Sequence, residues 1–147
     1  MTQAQLTDPV DERLCLAIYR ASHAVTATYR QVLAPLGLTY TQYMVMSLLW
    51  QDGPTSVAGI GRRLGLESST LSPLLQRLET QALVDRRRSE TDEREVIISL
   101  TETGRRLKRR AKSVPAQVQA ATGLSRTAEQ RLTKALNEMT GRLLAAA

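Results

Sequence analysis

Apolar residues recur at helical spacing over most of this 147-residue chain and at strand spacing in one short stretch. The first run, Leu14, Ile18, Ala21, Val25, Val32 and Leu36, follows Pro9 and Asp11 and stops at Gly37, which predicts a helix starting near residue 11. Farther on, Ser56 can cap a short helix running to Arg63 or Leu64. Gly65 and Leu66 then make a tight turn, and Ser68 or Ser69 can cap a further helix reaching Gln81. Within that helix Leu71, Leu74, Leu75 and Leu78 would face the core, and Pro73 falls close to the start, where a missing N–H costs little. The pattern then changes. Residues 84–88 and 96–100 flank a polar stretch and predict the two strands of a β-hairpin. Thr101 opens another helix, and Ser125 caps a last one whose Leu132, Leu136, Met139 and Leu143 form an apolar stripe, either a subunit interface or intrachain core. Two helices joined by a short glycine turn and followed by a hairpin make a winged helix-turn-helix, in a fold that is α+β and mostly helical.

Composition narrows the class. With 42% hydrophobic residues the chain reads as one domain, residues 1–147, large enough to bury a core unaided. No apolar run approaches the ~18 residues of a membrane span, and no leader resembles a signal peptide, so a cytoplasmic protein without a membrane partner is expected. One cysteine and one histidine, Cys15 and His23, cannot build a metal site within a subunit, and nothing calls for a cofactor.

The net charge of +6 is uneven: −1 over residues 1–55, +4 over 56–110 and +3 over 111–147. The excess begins where the helix-turn-helix begins, as a nucleic-acid partner requires. Ser68, Ser69, Thr70 and Ser72 occupy the first turns of the second helix and Arg77 lies farther along, the region that meets base edges and phosphates in a major groove. At the hairpin tip Glu90, Asp92, Glu93 and Glu95 surround Arg94. Acids beside an arginine make sense if Asp92 holds the Arg94 guanidinium in a pose suited to a narrow minor groove; the alternative is an exposed salt bridge worth little.

The aromatic residues carry the remaining signal. There is no Phe, and Tyr19, Tyr29, Tyr40, Tyr43 and Trp50 all follow Cys15 within 35 positions. A core needing only bulk would use Phe as readily, so the bias points to hydroxyl groups wanted near the thiol. A lone cysteine is otherwise a small buried hydrophobe. Near a helix start, however, the dipole and unpaired N–H groups favour the thiolate, with Asp8, Asp11 and Glu12 opposing. Tyr19 shares the cysteine's face at i+4. Tyr29 lies 14 residues on, roughly 21 Å along one helix, so it can meet Cys15 only from a second copy of the chain. If that contact forms, the first helices of a homodimer pair antiparallel.

Residues 66–79 (LESSTLSPLLQRLE), 86–94 (RRRSETDER) and 100–104 (LTETG) resemble the winged helix-turn-helix of MarR-type transcription regulators. Residues 14–19 (LCLAIY), Tyr29 and residues 38–43 (LTYTQY) are similar to the organic hydroperoxide sensors of that family, the OhrR type. The resemblance spans about residues 10–144. It implies dimerisation helices at about 10–50 and 112–147, a winged helix-turn-helix at about 54–100 and a wing at about 84–100. Cys15 would be the peroxidatic thiolate, Tyr29 and Tyr40 of the other subunit its hydrogen-bond donors, and Tyr19 a neighbour that rearranges on oxidation. Ser68, Thr70 and Ser72 would approach bases, Arg77 and Arg86 phosphates, and Arg94 the minor groove with Asp92 as its positioner. The implied protein is a repressor that binds double-stranded operator DNA as a homodimer when reduced and lets go when an organic hydroperoxide oxidises Cys15. Without a second cysteine, the sulfenic acid must persist, react with a low-molecular-weight thiol, close on a backbone nitrogen or oxidise further.

Two other readings stay open. One is a MarR-type repressor answering a small aromatic or phenolic ligand, with Cys15 incidental. The other is a thiol peroxidase, against which stand the missing resolving cysteine, the lack of an obvious arginine beside the thiol and the length devoted to reading DNA.

Overall fold

A computed structural model describes residues 9–147. Asp8, part of the acidic surround expected for Cys15, lies outside the described residues. The chain forms two compact units, one ending at Lys112 and the other comprising Ser113–Ala147.

The first unit opens with a single 3-10 turn, Val10–Glu12, so the helix proper is α1, Leu14–Leu33, with Arg13 preceding its first residue. A second 3-10 turn, Ala34–Leu36, leads to Gly37, whose φ of 68° is the left-handed conformation that a β-carbon disfavours. The expected stripe on α1 exists, but only its second half turns toward this chain's core: Val25, Val32 and Leu36 are half-buried and Leu14, Ile18 and Ala21 are exposed. Leu14 is 64% exposed and Ile18 37%, whereas Leu33, outside the stripe, is fully buried.

Helix α2, Tyr40–Asp52, starts in a capping box: Thr39 Oγ1 accepts the Gln42 N–H at 3.3 Å and the Gln42 side chain accepts the Thr39 N–H at 3.0 Å. It carries Val45, Met46, Leu48 and Leu49 into the core. Strand β1, Thr55–Ser56, runs directly into α3, Val57–Leu64, capped as expected by Ser56 Oγ on the Gly59 N–H at 3.0 Å and closed by Gly65 at φ 67°.

Helix α4, Ser68–Thr80, starts one residue earlier than a Ser68 cap requires and two earlier than a Ser69 cap requires. Glu67 is in extended conformation and its carbonyl accepts the N–H groups of Thr70 and Leu71 at 3.0 and 2.9 Å, so Ser68 and Ser69 are already helical and neither hydroxyl caps. Pro73 is consequently the sixth helical residue. Its missing N–H leaves the Ser69 carbonyl without an i+4 donor, a larger disturbance than the sequence reading allowed. Leu71, Leu74, Leu75 and Leu78 are buried as expected.

Strands β2, Val84–Arg88, and β3, Val96–Leu100, pair antiparallel with Val84 opposite Leu100 and Arg88 opposite Val96. Strand β1 adds to the other edge of β3, giving the order β1-β3-β2. Helix α5, Glu102–Ala111, is capped by Thr101, whose Oγ1 accepts the Gly104 N–H at 3.0 Å. Leu33, Met46, Leu49, Ile60, Leu75, Leu78 and Ile98 form the fully buried centre, so the helix-turn-helix, the wing and the end of α1 share one core.

In the second unit α6, Val114–Thr122, ends at Gly123. Helix α7, Arg126–Ala145, is capped by Ser125 Oγ on the Ala128 N–H at 3.1 Å. Of its expected stripe, Leu132, Leu136 and Leu143 are exposed and Met139 is half-buried. No single helix among the described residues is long and apolar enough to cross a membrane.

Candidate functional site

Cys15 is the second residue of α1 and is a free, exposed thiol. Around it the chain offers apolar surface: Val10, Leu14, Ile18 and Tyr19 are all exposed. Tyr19 stacks obliquely on His23, ring centres 4.4 Å apart, and this pair stays apart from the other aromatic rings. Asp11 lies 3.5 Å from Arg20, which offsets part of the acidic charge near the thiol.

The remaining tyrosines gather at the other end of α1. Tyr29 stacks on Tyr40 with centres 4.3 Å apart and planes 19° from parallel, and Tyr43 stands 5.7 Å from Tyr29. Stacking of this kind adds about 0.5–1.5 kcal/mol beyond burial and holds two phenols side by side. The structure thus brings Tyr29 and Tyr40 together and keeps both away from Cys15 of the same chain, because 14 residues of continuous helix separate Tyr29 from the thiol by roughly 21 Å.

On the DNA-reading side, Ser68, Ser69, Thr70 and Ser72 are exposed on the first turns of α4, with Arg77 exposed in its last turn. An open groove of about 1000 Å³ runs between this helix pair and the wing, lined by Gly61, Arg62, Ser68, Ser72, Arg86, Asp92 and Arg94 among others. Two expectations change. Arg86 is already engaged in the free chain: its Nε lies 3.3 Å from Glu79 Oε2, which ties β2 to the end of α4, so a phosphate contact there has to share or exchange that partner. Asp92 does not hold the Arg94 guanidinium. Its Oδ1 accepts the backbone N–H of Arg94 at 3.0 Å, and the turn is further fixed by Ser89 Oγ on the N–H groups of Thr91 and Asp92 and by the Ser89 N–H on the Glu95 carbonyl at 2.8 Å. The acid positions the arginine through the backbone, and the guanidinium has no ion-pair partner among the described residues. Arg77 and Arg62 have none either, so Arg62, Arg77 and Arg94 are available to phosphate.

Helix α5 is the most basic stretch. Glu102 pairs with Arg105 at 3.2 Å and with Arg106 at 3.4 Å, and the Arg105 hydrogen bond, followed by the charge of Arg106, holds its carboxyl below the ordinary glutamate range. Among the described residues no three His, Cys, Asp or Glu side chains gather as a metal site. Residues the sequence reading missed include Trp50, whose indole N–H donates to the Gly104 carbonyl at 2.9 Å, and Glu79. Trp50 and its partner are 54 positions apart, and Glu79 meets Arg86 only through the turn between α4 and β2, so no helical or strand spacing signals either contact.

Comparison with known proteins gives a consistent picture. The family described as Transcriptional regulator SarA/Rot matches residues 27–111. The HTH-type transcriptional regulator TtmR of Methylorubrum extorquens is 43% identical over 149 aligned positions, covering 100% of this chain and 76% of that one. The organic hydroperoxide resistance transcriptional regulator of Bacillus subtilis is 41% identical over 84% of this chain and 82% of its own. Among solved structures, overoxidized AbfR bound to DNA superposes with a TM-score of 0.78 at 31% identity, covering 98% of this chain and 99% of that one; AbfR is a protein of Staphylococcus epidermidis.

Proposed function

The chain belongs to the SarA/Rot family of MarR-like winged-helix transcriptional regulators, and from that footing we propose that it is a one-cysteine sensor of organic hydroperoxides that represses from operator DNA as a homodimer. The observation that carries this reading is the arrangement along α1: an exposed thiol near its start, Tyr29 stacked on Tyr40 of α2 toward its end, and apolar side chains left uncovered beside the thiol. Two copies of α1 laid antiparallel would bring each Cys15 to the partner's tyrosine pair and cover Leu14 and Ile18 in the same step. The 41% identical hydroperoxide-resistance regulator adds independent support.

The chemistry follows from the thiol. As the thiolate, Cys15 attacks the terminal peroxide oxygen; the S–O bond forms as the O–O bond breaks, the departing alkoxide takes a proton from a nearby phenol or water and leaves as an alcohol, and Cys15 becomes a sulfenic acid. A low-molecular-weight thiol then displaces water and forms an S–S bond, since the chain has no second cysteine to do so. A phenol that donated to thiolate loses that acceptor, and the added bulk pushes the paired helices apart. Operator half-sites about 34–36 Å apart demand one spacing of the two reading heads, so the distorted dimer lets go. Clean switching needs about 5.5 kcal/mol of differential preference between the two forms.

Titration of the operator-bound protein with an organic hydroperoxide, with and without a small thiol, tests this reading. Release complete near one equivalent per subunit, with the oxygen or thiol adduct located on Cys15 by mass spectrometry, supports it. Continued consumption of peroxide far beyond one equivalent would instead make the protein an enzyme, and release by a phenolic ligand with Cys15 still reduced would make it a ligand-responsive repressor.

A further inference from the structure

Trp50 stands between the tyrosine group and the junction of the recognition helix with the wing. On one side its ring meets Tyr43 edge-on with centres 6.3 Å apart, and Tyr43 neighbours the Tyr29–Tyr40 stack. On the other its indole N–H donates to the Gly104 carbonyl at 2.9 Å, joining residues 54 positions apart. Gly104 itself has no slack: a β-carbon there would strike the Leu83 carbonyl oxygen, so the first turn of α5 rests directly on the backbone of residue 83. That carbonyl also accepts the Thr101 N–H at 3.1 Å, and the Thr101 hydroxyl donates to the Ala82 carbonyl at 2.6 Å. Ala82, at φ 59°, is the one non-glycine residue in left-handed conformation among those described, and it forms the turn between α4 and β2. From phenol to turn, each link is a ring contact, a hydrogen bond or a backbone in contact with backbone.

Packing alone does not dictate this arrangement. One side of Trp50 borders an open recess of about 380 Å³, lined also by Leu49, Pro54, Leu100 and Lys108, so a phenyl ring would satisfy the same apolar neighbours. What Phe lacks is the N–H. We infer that Trp50 is a positioning residue: through its bond to Gly104 it sets the α4–β2 turn, and with it the angle between recognition helix and wing, according to the state of the tyrosine group. The source of the signal rests on the redox reading proposed above, whereas the coupling is a property of the reduced chain and is tested without any oxidant.

Two substitutions and their combination decide the matter. In the reduced, full-length protein, amide hydrogen exchange is read at Leu83, Thr101 and Gly104, with the amide of the fully buried Ile60 of α3, in the same compact unit, as a gauge of global opening. Tyr43→Leu is expected to speed exchange at the three junction amides by at least about ten-fold relative to Ile60, and by less than about two-fold when Trp50→Phe is already present, the non-additivity that marks coupled sites. No acceleration by Tyr43→Leu, or equal acceleration in both backgrounds, overturns the inference. Should Trp50→Phe not fold, Tyr43→Leu alone decides: acceleration confined to the junction supports coupling, and acceleration equal to that at Ile60 refutes it. In the DNA assay Trp50→Phe should oxidise at Cys15 at the wild-type rate yet lose at least about ten-fold of the oxidised-to-reduced ratio of Kd. A wild type whose Kd ignores hydroperoxide would sink the redox reading and leave the exchange data to judge the coupling.

Discussion

Replacing Gly104 with Ala perturbs the junction at its tightest point. In the third residue of α5, alanine's better helix propensity favours the variant by up to about 1 kcal/mol. Against this, the new methyl collides with the Leu83 carbonyl oxygen, a backbone atom that cannot swing aside like a side-chain tip, and lies 3.3 Å from Leu100 Cδ2. Overpacking of this kind costs about 1–3 kcal/mol. Relief requires α5 and residue 83 to separate, which lengthens the 3.1 Å Thr101–Leu83 and 2.9 Å Trp50–Gly104 hydrogen bonds, worth about 1 kcal/mol each. The net expectation is destabilisation of about 2–3 kcal/mol, or a fall in Tm of roughly 5–10 °C for a domain of this size. Thermal unfolding followed by circular dichroism at one fixed protein concentration measures it, because a dimer's Tm depends on concentration. An unchanged or raised Tm would refute the close approach of α5 to residue 83, and with it the rigidity ascribed to the junction.

Arg94→Ala should weaken operator binding and flatten the slope of log K against log salt by about 0.9 if its guanidinium neutralises a phosphate, or abolish preference for A·T tracts if it reads groove width; no change in either removes it from the interface. Ser56→Ala should cost about 1 kcal/mol in urea unfolding by freeing the Gly59 N–H, and a loss below a few tenths would show that the cap is idle. Glu102 has a folded-state pKa below its unfolded value, chiefly through the Arg105 hydrogen bond, so its contribution is present above about pH 4.3 and fades as pH falls through the lower folded value. Acid titration of stability should therefore be shallower for Glu102→Gln than for wild type below that pH, and parallel curves would contradict the pairing.

Helix spacing, serine caps and the polar interval between residues 88 and 96 were enough to place α1, α3, the hairpin and α7, because each is decided by local chemistry. Helix α2 had a readable signal as well, the Thr39 and Gln42 capping box ahead of an apolar run, but its apolar residues crowd on all sides and give no stripe. Strand β1 is only two residues long, too short for any period. The start of α4 differs because Glu67, not a serine, holds the cap position, its carbonyl taking the N–H groups of Thr70 and Leu71. For the site, spacing along a helix sufficed to exclude a contact between Tyr29 and Cys15 within one chain. The bond from the Arg94 N–H to Asp92 is a local Asx turn that the Asp-x-Arg spacing could have signalled, whereas the hold of Glu79 on Arg86 depends on the path of the α4–β2 turn and the reach of Trp50 to Gly104 on how distant segments pack.

Whether Cys15 is the sensor is decided by operator binding in fluorescence anisotropy, for wild type and Cys15→Ser with and without one equivalent of an organic hydroperoxide plus a small thiol. Both proteins should bind when reduced, wild type should release the DNA on treatment, and Cys15→Ser should stay bound. Release of both proteins, or of neither, would show that Cys15 does not carry the signal.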